Sequence, residues 1–316
     1  MKNRSCKVSV VVPVFNSAGT IEDLVSEIRR VLVRHKPQII LVNDGSKDQS
    51  EQTCRRIAKK NRDVVFLSLR KNFGEHNAVM CGLNHATGDF TAIIDDDFQN
   101  PPEQILTLLE EARKGVDVVY SKYKKKEHPW LRNLGSMVNN WVANFLLNKP
   151  KDLYMSSFKV IQKEIVKEII LYQGPFPYID GLILRVTDNI QSVWVEHSMR
   201  KTGKSNYTIK KLVSLYLNMF LNFSIKPLRV FTISGFVIFL IGVVLMISFL
   251  IERLFYPATM VGWTSITLLI LTFSGFQIVF LGLIGEYLGK QYLDQNGTPQ
   301  CAIKMKIVNG REIPVA

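Results

Sequence analysis

The chain has 316 residues, 47% of them hydrophobic, and carries a formal net charge of +13. That composition excludes a disordered chain and leaves room for one large domain or two ordinary ones, while the charge calls for an anionic partner: nucleic acid, an anionic membrane surface or a phosphorylated substrate. The four cysteines, Cys6, Cys54, Cys81 and Cys301, form no C-x-x-C pair, which excludes a disulfide framework and a cysteine-based metal site and fits a reducing cytosolic setting.

In chain order, "KVSVVVPVF" predicts a first strand, and Met1 to Lys7 is too polar to open a signal peptide. Ile21, Leu24, Val25, Ile28, Val31 and Leu32 then recur at helical spacing, behind Thr20 and Asp23 as a capping box. Further strands are predicted at Gln38 to Val42, Val64 to Leu69, Phe90 to Asp95 and Val116 to Ser121, with helices between them. This alternation is the signature of a parallel α/β sheet. Beyond Tyr120 the pattern predicts a helix from Pro129 to Leu147 and strands near Phe158 to Ile161 and Ser192 to Glu196.

Ligands in open α/β sheets bind beyond the carboxyl ends of the strands, where "VNDGS", "RKNFGEH" and "DDDFQN" fall. Asp95, Asp96 and Asp97 put three carboxylates in a row. Their repulsion calls for a compensating cation or hydrogen bonds, so a divalent metal and a solvated turn both stay open. Asn100 to Glu103 reads as ordinary helix N-terminal chemistry, and the spacing does not fit an EF-hand. The chain lacks G-x-G-x-x-G, and "GKS" at Gly203 to Ser205 is not a P-loop because Ser198 stands where its first glycine belongs.

Ser205 to Leu228 is amphipathic, with lysines flanking leucine, tyrosine and phenylalanine, and predicts an interfacial helix. The 22 residues from Val230 to Ile251 and the 32 from Leu254 to Gly285 carry no charge, enough for two transmembrane helices. Lys204, Lys210, Lys211, Lys226 and Arg229 precede the first run, and Lys290, Lys304, Lys306 and Arg311 follow the second. By the positive-inside rule both termini are expected in the cytoplasm. The lysines cluster at these flanks and no aromatic-basic reading motif accompanies them, so a membrane is expected as partner and nucleic acid is not.

Together "VVPVFN", "VNDGS", "KNFGEHNAVMCGL", "IDDDFQNPPE", "RKTGKSNY", the two uncharged runs and "LGLIGEYLGKQY" resemble the polyisoprenyl-phosphate glycosyltransferases of glycosyltransferase family 2 over nearly the whole chain. The resemblance implies a GT-A fold, a Rossmann-like and mostly parallel α/β domain over 1–204, an interfacial segment over 205–229, two spans over 230–285 and a cytoplasmic tail over 286–316. It implies an inverting, metal-dependent transfer of one sugar from a UDP- or GDP-linked donor to undecaprenyl or a related polyprenyl phosphate at the inner membrane, by a homo-oligomer, a tetramer in the family. Asp95 to Asp97 then correspond to a D-x-D motif for Mg²⁺ or Mn²⁺, with Asp97 as first ligand, Asp95 beside it, and Asp96 and Gln99 on the nucleotide sugar. Pro13, Phe15, Asn16 and Asp44 match positions that hold base and ribose, although Asn43 stands where relatives often have an acid. Lys71 stands where arginine is common, and lysine lacks the bidentate fork.

Ser157 replaces an acidic residue found in some relatives. A phosphate monoester is largely dianionic at pH 7 and needs little deprotonation, so a strong general base is not required. Asp180 in "YIDGL" is expected to orient the acceptor or assist attack, the alternative being a structural carboxylate of a turn. Arg132 with Ser136, and Arg200, Lys201 and Lys204, are expected to clamp the acceptor phosphate, the alternative for Lys201 being anionic headgroups. Two rivals stay open: a processive polysaccharide synthase, against which stands the missing Q-x-x-R-W motif, and a non-enzymatic scaffold or flippase component.

Overall fold

The computed structural model describes residues 6–123, 153–196 and 263–314, with isolated helical positions between 233 and 255. The chain divides into two units, 1–206 with 297–316, and 207–296.

The first unit is built on a nine-stranded sheet. Its strands are β1 (Val8–Val14), β2 (Gln38–Asn43), β3 (Val64–Leu69), β4 (Phe90–Ile93), β5 (Val118–Tyr123), β6 (Lys159–Gln162), β7 (Ile190–Val195), β8 (Ile303–Val308) and β9 (Arg311–Ile313). In space they run β7-β5-β6-β4-β1-β2-β3-β8-β9. The centre, β4-β1-β2-β3, is parallel. Near-continuous apolar runs such as "VSVVVPV" suit strands covered on both faces, and Val8, Val10, Val11, Val12 and Val14 are fully buried.

Helices α1 (Ile21–Val31), α2 (Ser50–Lys60), α3 (Glu75–Leu83) and α4 (Gln104–Ala112) cover the sheet. In α1 the stripe Ile21, Leu24, Val25 and Ile28 is buried, as its spacing predicts, with Arg29 and Arg30 in the last turn. Every residue of α3 from Asn77 to Leu83 is buried. It lies so close to the sheet that a Cβ on Gly82 would stand 2.4 Å from Val11 Cγ1. Two shorter helices follow β6: α5 (Lys163–Ile169) and α6 (Ile179–Val186).

The chain steps from β1 outward through β2 to β3 and then returns to β4 on the other side of β1. The reversal opens a crevice at the carboxyl ends of β1 and β4, the usual ligand position in such sheets. The segment after Val14 and the aspartates after Ile94 both emerge there.

The sequence reading placed 286–316 in a cytoplasmic tail, whereas 297–316 belongs to the first unit. β8 pairs antiparallel with β3, and β9 folds back on β8 through Asn309 and Gly310, both at positive φ. Ile307 is fully buried, and Lys304, read as a membrane-flanking charge, contacts Glu51 at 3.0 Å.

In the second unit, Trp263–Gln295 forms one helix, α7. Many of its side chains are outside the described set, and among the described residues no helix is long and apolar enough to cross a membrane. The predicted helix at Pro129 to Leu147 and the amphipathic segment from Ser205 to Leu228 also lie outside the described residues.

Candidate active site at the central strand ends

Asp95, Asp96 and Asp97 follow β4 in a turn whose middle residue differs in role from its neighbours. The Asp96 carboxylate accepts hydrogen bonds from the Phe15 amide at 3.1 Å and from the Ser17 hydroxyl, and the Asp96 carbonyl accepts one from Thr20 Oγ1 at 2.8 Å. Asp96, expected on the nucleotide sugar, is therefore the clasp between the ends of β1 and β4. Burial raises its pKa to about 6, against the pull of Ser17 and Phe15, with Asp95 and Asp97 adding to the rise. Asp95 accepts the Ser157 hydroxyl at 2.5 Å, and Asp97 accepts the Gln99 amide at 3.0 Å. Phe98 sits at φ 60°, a conformation disfavoured for a bulky residue and held here by the turn.

The charge on Asp96 carries a pH signature. A carboxyl whose folded pKa is raised binds more protons folded than unfolded, so its ionisation removes stability as pH climbs from about 4 to about 6. Asp96→Asn keeps an oxygen for Phe15 and Ser17 and removes the charge. In EDTA it is expected to melt higher than wild type at pH 7.5, by at most about 3 kcal/mol, with the difference vanishing near pH 4. Melting curves across that range check this.

Asp44 directly follows β2 and is 3% exposed. Its two carboxylate oxygens accept the Phe73 amide at 2.7 Å and the Gly74 amide at 2.9 Å, and its carbonyl accepts Asn72 Nδ2 at 3.1 Å. Burial raises its pKa and these amides oppose the rise. Asp44, expected at base or ribose, fixes the "KNFG" loop through these contacts. Gly45, at φ 64°, lets that loop approach: a Cβ there would stand 2.6 Å from the Asn72 nitrogen.

Asn16, at φ 57°, ties the β1 end to the β2 loop, donating from its amide to Ser46 Oγ at 3.0 Å and accepting the Lys47 amide at 2.8 Å. Pro13 is half-buried within β1, and Phe15 is exposed at the crevice. Lys71 lies over the Phe73 ring at 5.0 Å. Arg132, Ser136, Arg200, Lys201 and Lys204 lie outside the described residues.

Asp180, expected at the acceptor, is 8% exposed in the first turn of α6. Its Oδ1 accepts from Lys159 Nζ and from the Tyr120 hydroxyl at 2.8 Å, and Lys159, 3% exposed, lies over the Tyr120 ring at 4.9 Å. Together the three side chains form a buried polar network.

Sequence reasoning did not single out Ser17, Lys159 or Glu75. Glu75 begins α3, just after Gly74 at φ 100°. It is an exposed residue, yet the protein around its carboxyl desolvates it, and with Asp95 as the next cause the carboxyl rises to about 7. Beside it the His76 ring packs edge-on against Tyr178, centroids 5.1 Å apart, and burial lowers the imidazole to about 4.

Among the described residues no group of three or more His, Cys, Asp or Glu is arranged to hold a metal ion. Mg²⁺ and similar hard cations need fewer, because they take one or two carboxylates and complete their shell with water and substrate phosphate. With Asp96 bound to Phe15 and Ser17, the carboxylates of Asp95 and Asp97 fit that donor set.

The model of the family described as Glycosyl transferase family 2 matches residues 9–170, just over half of the chain. The chain belongs to that family. This family 2 enzyme is a glycosyltransferase, and it is similar over nearly its whole length to undecaprenyl-phosphate 4-deoxy-4-formamido-L-arabinose transferases. The one from Edwardsiella ictaluri (strain 93-146) is 30% identical over 94% of this chain and 93% of its own. The one from Pseudomonas syringae pv. syringae (strain B728a) is 30% identical over 98% and 93%. An uncharacterized glycosyltransferase, YkcC of Bacillus subtilis (strain 168), is 28% identical over 94% and 93%. Among solved structures, glucosyl-3-phosphoglycerate synthase from Mycobacterium tuberculosis, crystallised with Mn²⁺, UDP and phosphoglyceric acid, aligns with a TM-score of 0.52 at 20% identity over 67% of this chain and 75% of that one. At that identity the likeness establishes the fold, a GT-A α/β domain.

Proposed function

We propose that this family 2 transferase moves a single sugar from a nucleotide-sugar donor to a polyprenyl phosphate, of which undecaprenyl phosphate is the example named in its relatives, at the cytoplasmic face of the inner membrane, with inversion at the anomeric carbon. The observation that carries the reading is the near-full-length likeness to undecaprenyl-phosphate transferases, which extends through the two uncharged runs and not only through the catalytic domain. In this reading Val230 to Ile251 and Leu254 to Gly285 anchor the chain, with both termini cytoplasmic, and a processive synthase or a scaffold explains the motifs less well.

The crevice between β1 and β4 holds the donor. Asp95 and Asp97 hold Mg²⁺ or Mn²⁺, which supplies positive charge against the diphosphate leaving group. Asp96 and Asp44 act on the protein itself, one closing β1 on β4 and the other fixing the "KNFG" loop. Ser157 contributes no carboxylate, so the acceptor attacks as the phosphate dianion it already is at neutral pH, and the task left to the protein is to hold two anions together. Arg200 and its neighbours are assigned to that clamp.

The test is a screen of UDP- and GDP-sugars with purified protein, Mn²⁺ and a short polyprenyl phosphate. One donor is expected to yield a polyprenyl-phosphate sugar of inverted configuration. A donor that is consumed only by hydrolysis, or only by extension of a glycan, overturns the acceptor.

A further inference from the structure

Asp95 and Ser157 face each other because the register of the sheet brings them together. β4 and β6 pair antiparallel, Phe90 with Gln162 and Ile93 with Lys159, so two further steps beyond Ile93 and two back from Lys159 set Asp95 opposite Ser157. The side chains meet there. Ser157 Oγ donates to Asp95 Oδ2 at 2.5 Å, and both residues are half-buried.

The segment that carries Ser157 is itself anchored on β5. The Phe158 carbonyl accepts the Ser121 amide at 3.0 Å and the Ser156 hydroxyl at 2.7 Å, and the Ser156 hydroxyl lies 2.7 Å from that of Ser121. Ser121 Oγ donates to the Tyr123 hydroxyl at 2.9 Å, which donates in turn to Asn100 Oδ1 at 2.6 Å. Ser121, Ser156 and Asn100 are all buried, and the Tyr123 ring packs edge-on against Tyr154, centroids 5.8 Å apart. Asp95 opens the aspartate turn and Asn100 lies just past its end. Two adjacent serines therefore brace the turn from both sides, Ser157 directly at Asp95 and Ser156 through Ser121 and Tyr123 at Asn100.

We propose that Ser157 is a positioning residue for the divalent cation, holding the Asp95 carboxylate in place before the ion arrives. Repulsion from Asp96 and Asp97 favours movement of Asp95 away from its neighbours, and a hydrogen bond to the ionised carboxylate opposes that movement. A hydroxyl suits the task because it orients the ligand without adding charge, whereas an ammonium there would neutralise Asp95 and compete with the metal. This inference rests on the reading of Asp95 and Asp97 as holders of Mg²⁺ or Mn²⁺, but on neither the sugar nor the acceptor.

The experiment is a thermal-shift titration of Mn²⁺ against purified full-length wild type, Ser157→Ala and Ser157→Thr, each with UDP present, together with melting curves in EDTA. Ser157→Ala is expected to need about 10 to 100 times more Mn²⁺ for half of the stabilisation, the usual loss when a group that orients a metal ligand is removed. Ser157→Thr, which keeps the hydroxyl, is expected to titrate like wild type. In EDTA the three should melt alike, since a purely structural serine would act there and not on the Mn²⁺ midpoint. A Ser157→Ala midpoint equal to that of wild type overturns the proposal, as does a Ser157→Thr midpoint as weak as that of Ser157→Ala. Failure of the metal reading looks different: wild type itself then shows no Mn²⁺ response, and the proposal falls with it.

Discussion

Lys159→Met is expected to lower the stability of the first unit by about 3 to 5 kcal/mol at pH 8, the usual loss when one member of a buried ion pair is removed. Lys159 and Asp180 are both nearly inaccessible, and the substitution leaves Asp180 with the Tyr120 hydroxyl as its remaining hydrogen-bond donor among the described residues. The cost belongs to the stranded charge and not to the lost attraction, which gives a check. Adding Asp180→Asn to Lys159→Met should recover most of the stability, because the amide oxygen still accepts from Tyr120 and no charge remains buried. Urea melts of the two variants and wild type measure this. A double variant no more stable than the single shows that packing of the lysine stem on Tyr120 is what matters.

How much of this was legible in the sequence follows from which interactions are local. Valine-rich runs alternating with helical stripes specify a parallel core whatever the rest of the chain does, and strand ends put the polar motifs on one edge. The β8–β9 hairpin was legible too: "IKMKIVNGREI" alternates and turns at Asn-Gly, a strong hairpin signal. It was passed over because its lysines were weighed as membrane-flanking charge. The division of labour among the carboxylates was not legible, because it is set by donors that arrive only on folding. Asp44 and Asp97 follow strands in similar polar turns, yet one meets the amides of Phe73 and Gly74 and the other that of Gln99 two residues on. Asp180 reads as a surface turn until β6 brings Lys159 beneath it. Glu75 lies inside a quoted motif, but its surroundings are supplied by Asp95, Lys159 and Asp180, all remote in sequence.

Asp97→Asn is expected to reduce sugar transfer by about a thousandfold or more, roughly 4 kcal/mol of barrier, while the protein stays folded. The asparagine oxygen can still accept the Gln99 amide, the contact Asp97 makes in the turn at 3.0 Å, so the backbone has no reason to move. What disappears is one negative charge and one hard oxygen donor at the end of β4. A divalent cation held by one or two carboxylates and the substrate's own phosphates cannot replace that donor cheaply, because an amide oxygen is a weaker ligand for Mg²⁺ or Mn²⁺ and leaves the site less anionic. The substitution should therefore act on cation binding first and on transfer as its consequence. Thermal shift separates the two: with UDP present, Mn²⁺ should raise the melting temperature of wild type in a concentration-dependent way and that of Asp97→Asn hardly at all. Asp96→Asn, whose carboxylate is held by Phe15 and Ser17, should keep the Mn²⁺ response. Full turnover by Asp97→Asn, or by wild type in excess EDTA, removes the metal from the reaction and returns the aspartate turn to a purely structural role.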